Sequence, residues 1–195
     1  SEIGVLVRNK MGTRADHMAS AHEIVEGKLM RRAPLESSSH MQRGHENEEP
    51  HARRFWTKYG AVRDIQAYDA LKNATGQRPW MRYSPDDMVL MPLQAVLDDD
   101  GRISTVETPG QMHRWLIDYK APSKVEESDE IAFQYACQLT QGAILCAEND
   151  VEISGMMLSQ FDWANWALKD DVVGWDERMG ESVIEAGDHY WDYVM

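Results

Sequence analysis

Apolar positions change period several times along the chain, and each change marks a predicted element. Met18, Ile24, Val25, Leu29 and Met30 fall at helical spacing, which predicts a helix over Ala15–Met30. A polar connection from Arg31 to Ser39 leads to a second predicted helix, Met41–Tyr59, with Phe55 and Trp56 packing inward. Residues 60–78 fit neither period cleanly and end in the turn Asn73-Ala74-Thr75-Gly76. Met88–Leu97 then reads as a strand, Asp98-Asp99-Asp100-Gly101 as a turn, and Arg102–Glu107 as a second strand. After the turn Thr108-Pro109-Gly110 comes a strand over Met112–Lys120, which Ala121-Pro122 stops. Ser128 is placed to cap a helix that runs through Tyr135, Gln138 and Leu145 to Asn149, with Asp129 and Glu130 suiting its first turn. Val151–Leu158 reads as a strand. Asp176–Val194 reads as a closing amphipathic helix carrying Val183, Ile184, Tyr190, Trp191 and Val194. This order predicts an α/β fold around a small mixed central sheet flanked by helices.

Composition narrows the class. The 195 residues, 43% hydrophobic with seven tryptophans, suffice for one domain over 1–195, with a helical N-terminal part (1–40) and a core (41–195). No apolar run approaches the roughly 18 residues that span a bilayer. The start of the chain lacks a basic-then-apolar signal pattern, so a cytoplasmic setting is expected. Cys137 and Cys146 share one predicted helix. Nine positions at about 1.5 Å each put them about 13 Å apart, too far to bridge, so both are expected as free thiols. The net charge of −13 opposes binding to phosphate backbones. Its distribution softens that opposition. Residues 125–195 hold 2 basic and 16 acidic residues, while residues 1–124 are near neutral. Arg14, Lys28, Arg31, Arg32, Arg43, Arg53, Arg54 and Lys58 concentrate early in the chain.

Asp118-Tyr119-Lys120 carries the first chemical signal. Residues two apart on a strand project to the same side, so the carboxylate and the ammonium share a face. A carboxylate that can hold Mg²⁺ beside a lysine that orients water suits phosphodiester cleavage. Alone, the triplet is too common to carry weight.

Other segments fall in order around it. Gly44-His45-Glu46-Asn47-Glu48-Glu49-Pro50-His51-Ala52-Arg53 lies on a predicted helix; Ser84-Pro85-Asp86 precedes the strands; Tyr135-Ala136-Cys137-Gln138 lies on the next helix; and Tyr190-Trp191 with Val194 closes the chain. Together with Asp118-Tyr119-Lys120-Ala121-Pro122, this series resembles the lambda exonuclease or YqaJ-type viral recombinase family of the PD-(D/E)xK nuclease superfamily. The resemblance spans roughly Met41 to Val194. It implies a restriction-endonuclease-like core and Mg²⁺-dependent 5′-to-3′ resection of linear duplex DNA from its ends, with Mn²⁺ able to substitute. It also implies a single-strand annealing protein as partner and a ring-shaped homo-oligomer, a trimer. On that resemblance Asp86, Asp118 and Glu49 hold the metal, Lys120 positions the attacking water, and Gln138 hydrogen-bonds a water or phosphate beside it. Arg14, Arg43, Arg53 and Tyr135 become candidate DNA contacts, Arg14 for a 5′-phosphate.

Several alternatives stay open. Glu48 competes with Glu49, since neighbouring helix positions point about 100° apart and only one can face the metal. The family's Ser-Pro-Asp is usually followed by glycine, and here Asp87 follows. The interval from Asp86 to Asp118 is long, leaving room for an extra hairpin and for Asp98, Asp99 or Asp100 as ligands, although Asp-Asp-Asp-Gly more often makes a turn. His17 and His22 face different sides of one helix, and His40, His45 and His51 read as surface residues rather than a zinc site. Trp163, Trp166 and Trp175 read as core or oligomer contacts. The rival functions are an endonuclease on the same fold and a non-catalytic DNA- or protein-binding protein.

Overall fold

A computed structural model describes residues 2–12, 19–31, 39–100, 102–122, 125, 131–162 and 165–195, with the backbone alone described over 39–45. In chain order the elements are α1 (Glu2–Lys10), α2 (Ala21–Lys28), α3 (Ser39–Tyr59), β1 (Val62–Arg63), α4 (Ile65–Asn73), β2 (Asp87–Met91), β3 (Leu93–Leu97), β4 (Ile103–Glu107), β5 (His113–Lys120), α5 (Phe133–Glu148), β6 (Gly155–Asp162), β7 (Ala167–Val173) and α6 (Glu177–Trp191). Five strands form one sheet in the order β1-β2-β5-β6-β7, and β3 and β4 form a separate hairpin. β5 and β6 run parallel, with Asp118 opposite Leu158 and Lys120 opposite Gln160. Parallel neighbours need a crossover, and α5 supplies it. The other pairings are antiparallel.

Side-chain alternation sorts the central strands onto two faces. Met88, Leu116, Met156, Leu158 and Val173 turn one way and pack with α1, α4, α5 and α6. Val89, Met91, Trp115, Ile117, Tyr119 and Met157 turn the other way and pack with α3 through Ala52 and Phe55. β5 is therefore covered on both faces, and its burial is nearly continuous from Trp115 to Tyr119.

The sequence expectations need four corrections. The single strand predicted over Met88–Leu97 is two strands in different sheets. Pro92 lies at the break, has no N–H to continue a ladder, and accepts from the Thr108 amide through its carbonyl. The predicted first helix is shorter: Ser20 caps α2 in a capping box with Glu23, and residues 15–18 lie outside the described residues. The strand predicted over Val151–Leu158 lies four residues later. Helix α1, helix α4 and strand β7 had no firm signal. In α1 the apolar residues Ile3, Val5 and Val7 alternate as in a strand, and packing against α5 and α6 decides for helix. In β7 the charged run Lys169-Asp170-Asp171 hides the strand pattern.

Gly155 marks a tight point of this packing. A Cβ there would stand 2.5 Å from the fully buried Trp115 ring. Gly155→Ala is expected to destabilise the protein by about 1–3 kcal/mol through overpacking, read as a lower urea midpoint at unchanged m-value.

Candidate active site

β2 and β5 run antiparallel, so the start of one meets the end of the other, with Asp87 paired to Ile117. That register brings Asp86, just before β2, to the last residues of β5. Asp86 Oδ2 accepts a 2.8 Å hydrogen bond from the Tyr119 amide. Lys120 Nζ lies 2.7 Å from Asp118 Oδ2 and 3.5 Å from Asp86 Oδ2. From α5, Gln138 donates through Nε2 to Asp118 Oδ1 at 2.8 Å. One turn earlier, the Tyr135 ring stands 5.6 Å from the Lys120 ammonium. The sequence places Gln138 beside a water or phosphate; in the structure its partner is Asp118. Asp86, Asp118, Lys120, Tyr135 and Gln138 thus meet on the α5 face of the sheet.

Burial sets the electrostatics. Asp118 is fully buried, while Asp86 and Lys120 each keep about a fifth of their side chains exposed. Desolvation raises the Asp118 pKa, and the like charge of Asp86 adds to that rise against the pull of Lys120. Desolvation alone would lower the Lys120 pKa, but Asp118 and Asp86 outweigh it and the net shift is upward. The two carboxylates thus favour the ammonium form of the lysine. Asp118 Oδ2 receives no well-directed hydrogen bond despite its 2.7 Å contact with Lys120. Among the described residues no three His, Cys, Asp or Glu side chains cluster as a metal cage. Two carboxylates with one buried, under-satisfied oxygen match the sparse protein ligation of Mg²⁺, which leaves positions for water and phosphate.

Tyr119 turns to the opposite face, and so does Asp87. The fully buried Asp87 carboxylate accepts from Trp56 Nε1 (2.8 Å), Arg63 Nε (2.7 Å) and the Tyr119 hydroxyl (3.0 Å). It ties α3, β1 and β5 to the residue next to Asp86. Asp87, the departure from the family motif, is thus a clamp behind the site. Strand alternation from Asp86 and Asp118 contains that signal, because both neighbours must point backward together.

His51, read as a surface residue, is buried at 3% exposure. Its Nε2 lies 2.8 Å from Ser159 Oγ of β6, and its ring lies 4.7 Å from that of Tyr119. Burial lowers its pKa to about 4 against the opposing carboxylates of Asp170 and Asp86. Neither His51 nor Ser159 had a sequence signal, because each needs the α3–β6 packing to find its partner.

The remaining candidates lie elsewhere. Glu48 and Glu49 are exposed on α3, and Glu49 pairs with Arg53 at 2.9 Å. Asp98 caps its hairpin turn through the Asp100 and Arg102 amides. Arg43 belongs to α3, but its side chain lies outside the described residues, as do Arg14, His17, Ser128 and Trp163. Cys137 and Cys146 are buried free thiols. Trp166 and Trp175 are exposed, the former beneath the Arg54 guanidinium.

The solved structure of LHK-Exo in complex with dAMP superposes with a TM-score of 0.60, covering 98% of this chain and 86% of that one at 13% identity. The fold is restriction-endonuclease-like. The structure of SSO0001 overlaps 85% of each chain at 14% identity with a TM-score of 0.26, too low to inform the fold. No protein-family profile and no curated protein sequence matches the chain. Among the described residues, no helix is long and apolar enough to cross a membrane.

The rear face yields two expectations. Asp87→Ala leaves three side-chain donors and the Met88 amide without this acceptor and should lower stability by about 3 kcal/mol, read by urea denaturation. His51 has a folded pKa below its ordinary 6.5, so its contribution is complete above pH 6.5 and lost as pH falls towards 4. The stability difference between the unaltered protein and His51→Gln should shrink by about 3 kcal/mol across that window.

Proposed function

We propose that the protein is a metal-dependent deoxyribonuclease that degrades linear duplex DNA from its ends. The observation that carries this reading is the convergence of Asp86, Asp118 and Lys120 at the paired ends of β2 and β5, with Gln138 locking Asp118. The dAMP recorded with LHK-Exo, a deoxynucleoside monophosphate on the same fold, supports a nucleotide substrate. The recombination setting, the annealing partner and the ring-shaped oligomer rest on the motif resemblance.

The residues divide the work by charge and position. Asp118 and Asp86 would hold Mg²⁺, with Mn²⁺ as a substitute; when bound, the ion would neutralise phosphate charge and acidify a water. Gln138 fixes the Asp118 carboxylate by binding Oδ1, leaving Oδ2 to face the site. Asp86 is held by the Tyr119 amide, so both carboxylates are preorganised by the same strand. Lys120, kept protonated by its neighbours, orients a water by hydrogen bonding and offsets charge that develops on the scissile phosphate. The Tyr135 ring, 5.6 Å from the ammonium, adds a cation–π contact.

Purified protein with Mg²⁺ should release nucleotides from linear duplex DNA, and chelation should stop it. Lys120→Ala should lower the rate on the order of 10²–10³-fold with the fold intact by circular dichroism. Unchanged release by that variant would remove Lys120 from the mechanism. Closed circular DNA should survive, and its cleavage would make the enzyme an endonuclease.

A further inference from the structure

Asp87 stands where the family that the motifs resemble usually carries glycine. Glycine has no side chain to bond, so whatever the Asp87 carboxylate does is particular to this chain. It lies on the opposite face of the sheet from Asp86, yet one residue bonds to both acids. The Tyr119 hydroxyl donates to Asp87 Oδ2 at 3.0 Å, and the Tyr119 amide donates to Asp86 Oδ2 at 2.8 Å.

These two bonds close a loop through the sheet. It runs from Asp86 along the chain to Asp87, across to the Tyr119 hydroxyl, and back through the Tyr119 amide to Asp86. Arg63 of β1 braces the loop. Its Nε donates to Asp87 Oδ1 at 2.7 Å, and its Nη2 reaches the Asp86 carbonyl at 3.5 Å. The guanidinium is held in turn by the rings of Trp56 and Tyr68, 5.3 and 5.1 Å from their centroids. Asp87 and Tyr119 are buried, so water competes little for the bond between them. On the front face the Asp86 carboxylate is oriented by the Tyr119 amide at 2.8 Å, with the Lys120 ammonium farther off at 3.5 Å.

We infer that Arg63, Asp87 and Tyr119 are positioning residues that set the divalent-metal affinity of Asp86 and Asp118 from behind the sheet; this rests on the proposed function. A carboxylate already held in place loses less freedom when it takes an ion. Groups one step behind metal ligands change affinity about 10–100-fold when they are removed. Gln138 steadies Asp118 from α5, and the rear loop does the same for Asp86.

The test titrates Ca²⁺ into the protein by calorimetry, without DNA. Tyr119→Phe removes one oxygen atom and should raise the Ca²⁺ Kd about 10–100-fold. Trp56→Phe is its counterpart, removing a bond to the same Asp87 oxygen while leaving the Tyr119 hydroxyl in place. That variant should lower the urea midpoint and keep the Ca²⁺ affinity. In nuclease assays the Mg²⁺ needed for half-maximal rate should rise for Tyr119→Phe, with the rate recovering at high Mg²⁺. Arg63→Lys keeps the charge beside Asp87 but loses the fork, and should weaken Ca²⁺ binding too; it serves if Tyr119→Phe does not fold. Equal Ca²⁺ affinity in the unaltered protein and Tyr119→Phe overturns the inference and leaves the nuclease reading standing. Equal weakening by Tyr119→Phe and Trp56→Phe also overturns it, since the rear face then acts only through general stability. Absence of Ca²⁺ and Mn²⁺ binding in the unaltered protein overturns the metal-dependent reading and the inference with it.

Discussion

Strand β5 runs through the middle of the sheet, buried on both faces, and still carries charge. Removing a carboxylate from water costs several kcal/mol unless its oxygens find partners, so the surroundings of Asp118 must be built around it. Lys120 and Gln138 supply those partners from the same strand and from α5. The paired Asp86 enters through a backbone bond to β5 itself. A two-residue repeat means that the intervening Tyr119 has to deal with the opposite face, where Asp87 receives its hydroxyl. One strand therefore ties two polar clusters back to back.

That arrangement gives the two sides different duties. On the α5 side the polar groups are partly open and imperfectly satisfied, as Asp118 Oδ2 shows. On the α3 side Asp87 makes four hydrogen bonds, three to side chains and one to the Met88 amide. Satisfied networks rigidify, and a buried polar atom left without a partner is costly. A rigid rear wall lets the front carboxylates keep their positions without being fully bonded to each other. His51 and Ser159 extend the wall to β6, the strand parallel to β5.

What was legible in the sequence followed from local rules. Strand alternation places Asp118 with Lys120, helix spacing places Tyr135 one turn from Gln138, and the α/β order predicts the layered fold. The misses share a physical cause. α1 alternates like a strand and becomes helix only because α5 and α6 cover it; β7 carries charges whose partners come from elsewhere in the fold, as Lys58 of α3 pairs with Asp170 and Gln160 of β6 donates to Asp171. His51 could not be read as buried because its partner is 108 positions away. Asp87 was visible as a departure from the family motif, but its purpose depended on Trp56 and Arg63, which only the tertiary fold brings to it.

The β3–β4 hairpin has a topological consequence. Met91 and His113 are directly paired across β2 and β5, so the chain leaves the sheet and returns to the same rung. Everything between them is a closed excursion. Asp86 and Asp118 are 32 positions apart in sequence, yet their separation in space is set by the β2–β5 ladder alone. The hairpin stays moored to β5 near its base, where the Leu93 carbonyl accepts from Trp115 Nε1 at 2.8 Å. Spacing between two such carboxylates in a sequence is thus elastic, whereas the spacing of Asp118 and Lys120 on one strand is not.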